Sequence, residues 1–225
     1  MKRFRIIGLS LLALLALGAF AASTASAVEG VLPLKLKNFT LLSTIAKLET
    51  AAGVPIECAE LKGKGVFSSD IAGTATLDFL GCNLSGFPVF SLGDAIPTEV
   101  KTALILVPVL FLVCLINSAA LTFGIFVELK ESLHIDALVL GELDVLLGAI
   151  IGELSPNKGK LAKLVFTGAK GKQTLATKCV DETGGEKTNT LKASINGGAF
   201  EPASQNVAGG LIQFEEEQEL MDKKA

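Results

Sequence analysis

The segment from Thr102 to Val127 carries no charged side chain, and this constrains the fold more than any other feature of the chain. Its 26 residues are enough to cross a bilayer as a helix. Pro108 would interrupt such a helix, because proline lacks the N–H that a helical hydrogen bond needs. Alternating positions hold the β-branched residues Ile105, Val107, Val109 and Val113. That pattern favours a strand, and the small polar turn at 117–120 before a second alternating run predicts a hairpin of two strands.

Both faces of residues 103–116 are apolar, which is unusual for a strand with one side in water. Such a strand needs cover on both sides, from another layer or from a partner. Three structures therefore stay open for this region: a buried hairpin, a transmembrane helix over 103–127, and a buried helix, since periodicity does not separate these cases. If the region is exposed, we expect it to contact a partner or a membrane.

The N-terminus has the three parts of a secretory signal peptide. A basic start, MKRFR, precedes an apolar run at 6–22, and Ala25-Ser26-Ala27 places small residues where a signal peptidase cleaves. We therefore predict that residues 1–27 are a signal peptide and that the mature chain is secreted, extracellular or bound to the cell envelope. The alternative is an uncleaved anchor helix.

The composition of residues 28–225 excludes several classes of function. This part has 17 lysines, no arginine and 23 acidic residues, a net charge of −6, and the whole chain has no Trp or Tyr. A negative chain without arginine is a poor match for nucleic acid, where affinity comes from neutralised phosphates. Sugar-binding sites commonly stack sugar rings on the faces of Trp and Tyr, so their absence disfavours a carbohydrate-binding module. With His134 as the only histidine, a zinc site built from several histidines in one chain is excluded.

Period-two alternation recurs along the chain and predicts short strands. In GTATLDFLGC, for example, Ala75, Leu77 and Phe79 would face inward and Thr74, Thr76 and Asp78 outward. The expected turns are at Ala52-Gly53, Gly63 and Gly65, 156–159, Gly184-Gly185 and 196–198. We predict a mainly β fold, an antiparallel sandwich or barrel-like sheets with room for a short helix. We also predict one domain over 28–225, with a soft boundary near 93–102.

The four cysteines all lie in the exported part of the chain: Cys58, Cys82, Cys114 and Cys179. An even number in an oxidising compartment predicts two disulfides, for which three pairings exist. We favour Cys58–Cys82 and Cys114–Cys179, because the first two cysteines lie within one group of strand patterns. A four-cysteine metal site is disfavoured, since no C-x-x-C pair occurs. We expect no metal and no cofactor.

A catalytic hypothesis rests on ESLHIDAL, where His134 and Asp136 would share one strand face. The two could serve a nucleophile in a hydrolase, but neighbours at i and i+2 on a strand are ordinary, and no G-x-S-x-G motif accompanies them. We favour a polar strand face and keep the hydrolase as a remote alternative.

For the acidic clusters we also favour a structural interpretation over a functional one. DETGGE at 181–186 lacks the spacing of an EF-hand and predicts a turn rather than a calcium loop. Glu142 with Asp144, and the glutamates near 215–219, are expected on solvated strand faces.

The second half of the chain contains five distinctive stretches: PVLFLVCLINS, FGIFVELKESLHID, GAIIGELSPNKGK, LKASINGGAFEPAS and FEEEQELMD. In these stretches it resembles a group of exported proteins of soil actinobacteria to which no activity is assigned. These stretches lie between about residues 100 and 225. A weaker resemblance is found earlier in the chain, in AKLETAAGVPIECAELKGKGVF and TLDFLGC. The resemblance implies export and a β-rich fold with paired cysteines, but no function.

We therefore expect a secreted or envelope-associated structural or interaction protein without catalysis. Its partner is unknown, nucleic acid is not expected, and a protein or membrane contact is expected through 103–127. The alternative is a membrane-anchored envelope protein that uses the same region as a transmembrane helix.

Overall fold

The computed structural model describes residues 30–32, 38–53, 55–69, 71–91, 99–100, 103–137, 141–145, 148–156, 158–219 and 221–222. The expected signal peptide and most of the soft boundary lie outside these residues. The described chain is nearly all β, as predicted, and it contains no α-helix, so the short helix is not found there. Its strands are β1 Gly30–Leu32, β2 Asn38–Ser43, β3 Ala46–Thr50, β4 Pro55–Phe67, β5 Ala72–Leu84, β6 Phe87–Ser91, β7 Leu104–Asn117, β8 Thr122–Leu129, β9 Leu133–Ala137, β10 Gly141–Val145, β11 Ala149–Ser155, β12 Lys158–Phe166, β13 Gly168–Ala169, β14 Lys172–Gln173, β15 Lys178–Val180, β16 Glu186–Thr188, β17 Lys192–Ile195, β18 Glu201–Glu219 and β19 Met221–Asp222.

Eight antiparallel strands close into a barrel-like sheet. The order around it is β2, β4, β5, β7, β8, β11, β12 and β18, and β18 pairs again with β2. Strands β5 and β7 pair from Ala72↔Leu112 to Leu80↔Leu104, so the chain on both sides of 93–102 belongs to one sheet.

The long strands β4, β5 and β18 continue beyond this ring into a second set of pairings. There β3 replaces β2 between β18 and β4, and β6, β9, β10 and β17 connect β5 back to β18. The hairpin turns at 51–53, 85–86 and 196–200 all lie at this end of the molecule, since β4, β6 and β18 start there.

The uncharged region forms the hairpin of β7 and β8, so the transmembrane-helix and buried-helix alternatives for 103–127 are wrong. Nowhere in the described part of the chain is there a helix long and apolar enough to cross a membrane. The inward positions of β7 alternate as predicted and are all buried in the core: Ile105, Val107, Val109, Phe111, Val113 and Leu115.

One end of the barrel interior is filled by phenylalanines that meet edge to face. The ring of Phe111 lies 4.9 Å from that of Phe39 and 4.7 Å from that of Phe67, centroid to centroid, and Phe214 is 6.4 Å from Phe39. The two contacts of Phe111 are T-shaped, which suits the charge distribution of aromatic rings, and the Phe39–Phe214 pair is tilted.

The interpretation of Gly63 and Gly65 as a turn is wrong, because both lie inside β4 and face the core. A Cβ at Gly63 would lie 2.9 Å from Leu77 Cδ2, and a Cβ at Gly65 would overlap the ring of Phe39. The glycines make room for large side chains of neighbouring strands, which is the second common use of glycine in a strand.

The structure contains two disulfides, in the pairing that the sequence favoured. Cys58–Cys82 joins directly opposed positions of β4 and β5. Cys114–Cys179 joins β7 to β15, which pairs with β7 at Val180↔Leu115, beyond the last β5–β7 pair at Leu112. The outer face of β7 is covered at this point by a small second core of Cys114, Ile151, Ala176 and Cys179, packed with Ile116 and Phe126.

Candidate interaction surface

The cover over β7 stops halfway along the strand. Near its end, Cys114 is buried against Ala176 and Cys179. These two residues belong to the segment 174–191, which we call the outer segment. Toward its start, the outward side chains of Leu106 and Leu110 are 43% and 41% exposed, and Pro108 between them is half-buried. The expectation that both faces are covered is therefore met for one half of the strand only. The other half leaves leucines in contact with solvent.

A groove of about 480 Å³ lies on the barrel wall beside these leucines. Its floor follows one row across four strands, because Thr40 pairs with Lys64, Lys64 with Thr76, and Thr76 with Pro108. Beyond Pro108, the backbone N–H of Lys130 donates a 3.2 Å hydrogen bond to the Pro108 carbonyl. The lining residues are Asn38, Phe39, Thr40, Lys64, Gly65, Val66, Thr74, Ala75, Thr76, Pro108 and Lys130.

The groove is cationic. Its described lining contains two lysines and no carboxylate, and neither Lys64 nor Lys130 has an ion-pair partner among the described residues. Lys62, by contrast, lies 2.9 Å from a carboxylate oxygen of Glu60. Glu128 borders the groove opposite Leu110 in the register of β7 and β8, but it does not line it.

The polar side chains of the groove also have no hydrogen-bond partners among the described residues. Asn38, Thr40, Thr74 and Thr76 make no side-chain hydrogen bond with another described residue. The two threonines of β5 face outward, as their alternation with Ala75 predicted. Lys64 and Lys130 were not singled out from the sequence, because their proximity depends on which strands are neighbours. Alternation along a strand predicts only the face of the sheet on which each lysine lies.

The inside of the barrel has little free space. One cavity of about 70 Å³ and a second of about 40 Å³ share part of their walls, and Gln205 is the only polar side chain that lines either of them within the described residues. Sites for drug-sized ligands are typically about 300–1,000 Å³. The interior is therefore a packed core with small voids, and the wall groove is the larger site.

The two residues of the histidine hypothesis lie on the same strand. His134 is exposed and Asp136 is half-buried, both on β9. In the register of the sheet His134 lies opposite Asp144 of β10; the side chains of Glu142 and Asp144 lie outside the described set. Within that set, no group of three His, Cys, Asp or Glu side chains could hold a metal ion.

The DETGGE segment is a turn, as predicted, and Asp181 organises it. Its Oδ1 accepts hydrogen bonds from the backbone N–H groups of Thr183 (2.9 Å) and Gly185 (2.8 Å) and from the Thr183 hydroxyl (2.7 Å). Its Oδ2 lies 3.4 Å from Lys187 Nζ. Burial raises the pKa of Asp181, but the hydrogen bonds from Thr183 and Gly185 and the contact with Lys187 outweigh it and lower the pKa below its usual value. The carboxylate is saturated by donors, which argues against calcium binding there.

Comparison with known proteins gives no further guide to this surface. No family model, no curated protein and no solved structure matches the chain.

Proposed function

We propose that this chain is an exported, non-catalytic interaction protein that contacts its partner through the uncovered outer wall of β7 and the groove beside it. The observation that carries the proposal is the pair Leu106 and Leu110. Each exposes about two fifths of its surface on a strand, next to a groove whose two lysines have no ion-pair partner among the described residues. Exposed apolar groups flanked by polar ones are typical of contact sites.

The disulfides support the exported part of the proposal. Two disulfides are compatible with an oxidising environment outside the cell. They also suit a binding module, because a wall that is rigid before contact loses little conformational entropy when it binds.

The non-catalytic part of the proposal rests on the chemistry of the site. In the part of the chain that the structure describes, the groove offers lysines, threonines and an asparagine, but no carboxylate or imidazole that could act as a general base at neutral pH. The hydrolase alternative would place the chemistry at His134. A fluorophosphonate probe, which labels activated serine nucleophiles, should leave the exported chain unlabelled. Labelling that is lost in His134→Ala would favour the hydrolase.

The contact surface is tested with paired leucine variants in the producing cells. One variant is Leu106→Ser with Leu110→Ser. The matched control is Leu161→Ser with Leu211→Ser, on β12 and β18, where the leucines are 52% and 38% exposed on another part of the wall. Sedimentation then separates exported chain that is bound to envelopes or larger complexes from free monomer.

We expect wild type and control to be found partly in the bound fraction, and the Leu106 and Leu110 variant to shift to free monomer. The two variants should unfold at similar denaturant concentrations, since each removes a comparable amount of half-buried leucine surface. If wild type is entirely free, or if both variants behave alike, the proposed surface is wrong.

A further inference from the structure

The spacing of Lys64 and Lys130, which form no ion pair with another described residue, restricts what the groove can hold. Lys64 pairs with Thr76, Thr76 pairs with Pro108, and the N–H of Lys130 donates to the Pro108 carbonyl. Three strand-to-strand steps therefore separate the two lysines. At about 4.8 Å per step, this is about 14 Å along the wall. Two cations at this separation match two negative charges on one elongated ligand better than one compact anion.

The floor between the lysines is not charged. Thr76 and Pro108 occupy it, with Val66 on one side and the leucines of β7 beside it. Threonine hydroxyls can donate to and accept from a peptide backbone, and the proline ring and leucines offer an apolar contact. The groove is therefore suited to a ligand that is polar along its length, apolar at its centre and acidic at both ends.

An extended peptide has this arrangement. Side chains at i, i+2 and i+4 of an extended chain share one face, and the first and last are about 13–14 Å apart. Acidic residues at i and i+4 would then lie over Lys64 and Lys130, and an apolar residue at i+2 would lie over Pro108. A phosphate polymer has no apolar centre, and its usual bidentate partner, arginine, is absent after residue 27.

We propose that the groove binds an extended acidic segment of a partner protein, with acidic residues four positions apart and an apolar residue midway. This inference rests on the proposed function and names the chemistry of the partner. Binding has to be measured on the whole exported chain with both disulfides intact, because the four strands of the groove come from distant parts of the sequence.

The test uses a dye-labelled peptide of sequence Glu-Ser-Leu-Ser-Glu and fluorescence anisotropy at low salt. The composition-matched control is Ser-Glu-Leu-Glu-Ser, whose glutamates point away from the face of its leucine. The protein variant is Lys64→Gln with Lys130→Gln. Its control is Lys160→Gln with Lys163→Gln, two exposed lysines of β12 that change the net charge equally.

We expect the first peptide to bind wild type more tightly than the second, and rising salt to weaken its binding. The Lys64 and Lys130 variant should lose about tenfold in affinity, since two exposed ion pairs are removed. The Lys160 and Lys163 variant should keep the wild-type affinity.

Three results would overturn the inference: equal binding of the two peptides or of neither, equal loss in both lysine variants, or tighter binding of inorganic polyphosphate than of the first peptide. If the peptide fails while Leu106→Ser with Leu110→Ser still releases the chain from its bound fraction, the interaction surface stands and only the acidic segment is wrong.

Discussion

Cys114 and Cys179 connect the barrel wall to the segment that covers it, and they lie where the cover over β7 begins. Asn189 stabilises the same junction, because its side chain accepts a 2.8 Å hydrogen bond from the N–H of Ile151 and donates one of 2.8 Å to the Ala176 carbonyl. The outer segment thus closes off one half of the outward face of β7 and leaves the other half free for contact.

Removing this disulfide should loosen the cover and not only lower the overall stability. The variant Cys114→Ala with Cys179→Ala opens a loop of 65 residues, for which chain entropy gives a loss of about 4 kcal/mol. Ile151 and Phe126 would become accessible as the cover loosens. We expect faster proteolysis within 168–191 and a lower midpoint of chemical denaturation.

The control is Cys58→Ala with Cys82→Ala, which opens a loop of 24 residues and should lose about 3.5 kcal/mol. Its cleavage pattern under native conditions should stay that of wild type. Similar cleavage within 168–191 in both variants would mean that the Cys114–Cys179 bond has no special role in holding the cover.

Local patterns in the sequence predicted the parts of this fold that depend on neighbouring residues. The alternation of Ala75, Leu77 and Phe79 with outward threonines, the hairpin of β7 and β8, and the β-rich class follow from which side chains avoid water. Gly63 and Gly65 were misassigned, because glycine permits both a turn and a close approach by another side chain. Only the position of Phe39, on a different strand, distinguishes the two.

The candidate site could be predicted from the sequence only in part. The apolar outer face of β7 could be predicted, since the odd and the even positions of 103–116 are both apolar. The groove was not, because it depends on the registers that place Thr40, Lys64 and Thr76 side by side. Those pairings are set by the closure of the barrel, which no local pattern encodes.

Gly65→Ala should destabilise the barrel through the phenylalanine cluster. The added Cβ overlaps the ring of Phe39, which itself packs on Phe111 and Phe67, so the ring has to move within a filled core. Overpacking of this kind costs about 1–3 kcal/mol, measured as a lower free energy of unfolding in denaturant. Val66→Ala, at the next and outward-facing position, should change stability by about 0.5 kcal/mol or less. Equal effects of the two substitutions would contradict the inward orientation of Gly65.

Asp181 should make stability depend on pH in the acid range. Its pKa is lower in the folded state than in the unfolded chain, so its ionised form stabilises the fold. That contribution is fully present above the unfolded pKa, near 3.8, and is lost as the pH falls through the folded pKa. Asp181→Asn should therefore be less stable than wild type at neutral pH, and the difference should shrink below pH 3.8. A constant difference for Asp181→Asn across the acid range would count against the assignment.

Gln205→Leu should stabilise the protein. The Gln205 side chain lines two cavities whose other walls are apolar, and its amide makes no hydrogen bond with another described residue, although its backbone carbonyl accepts one of 3.0 Å from Gln173. Leucine has a similar volume and matches the apolar walls of both cavities better than the half-buried amide does, so we expect a gain of about 1 kcal/mol in the free energy of unfolding. Gln213→Leu, on the outward face of the same strand, serves as the control and should give no comparable gain. A loss of stability in Gln205→Leu would show instead that the amide has a partner inside the barrel, such as a bound water, and that the voids are not simply apolar.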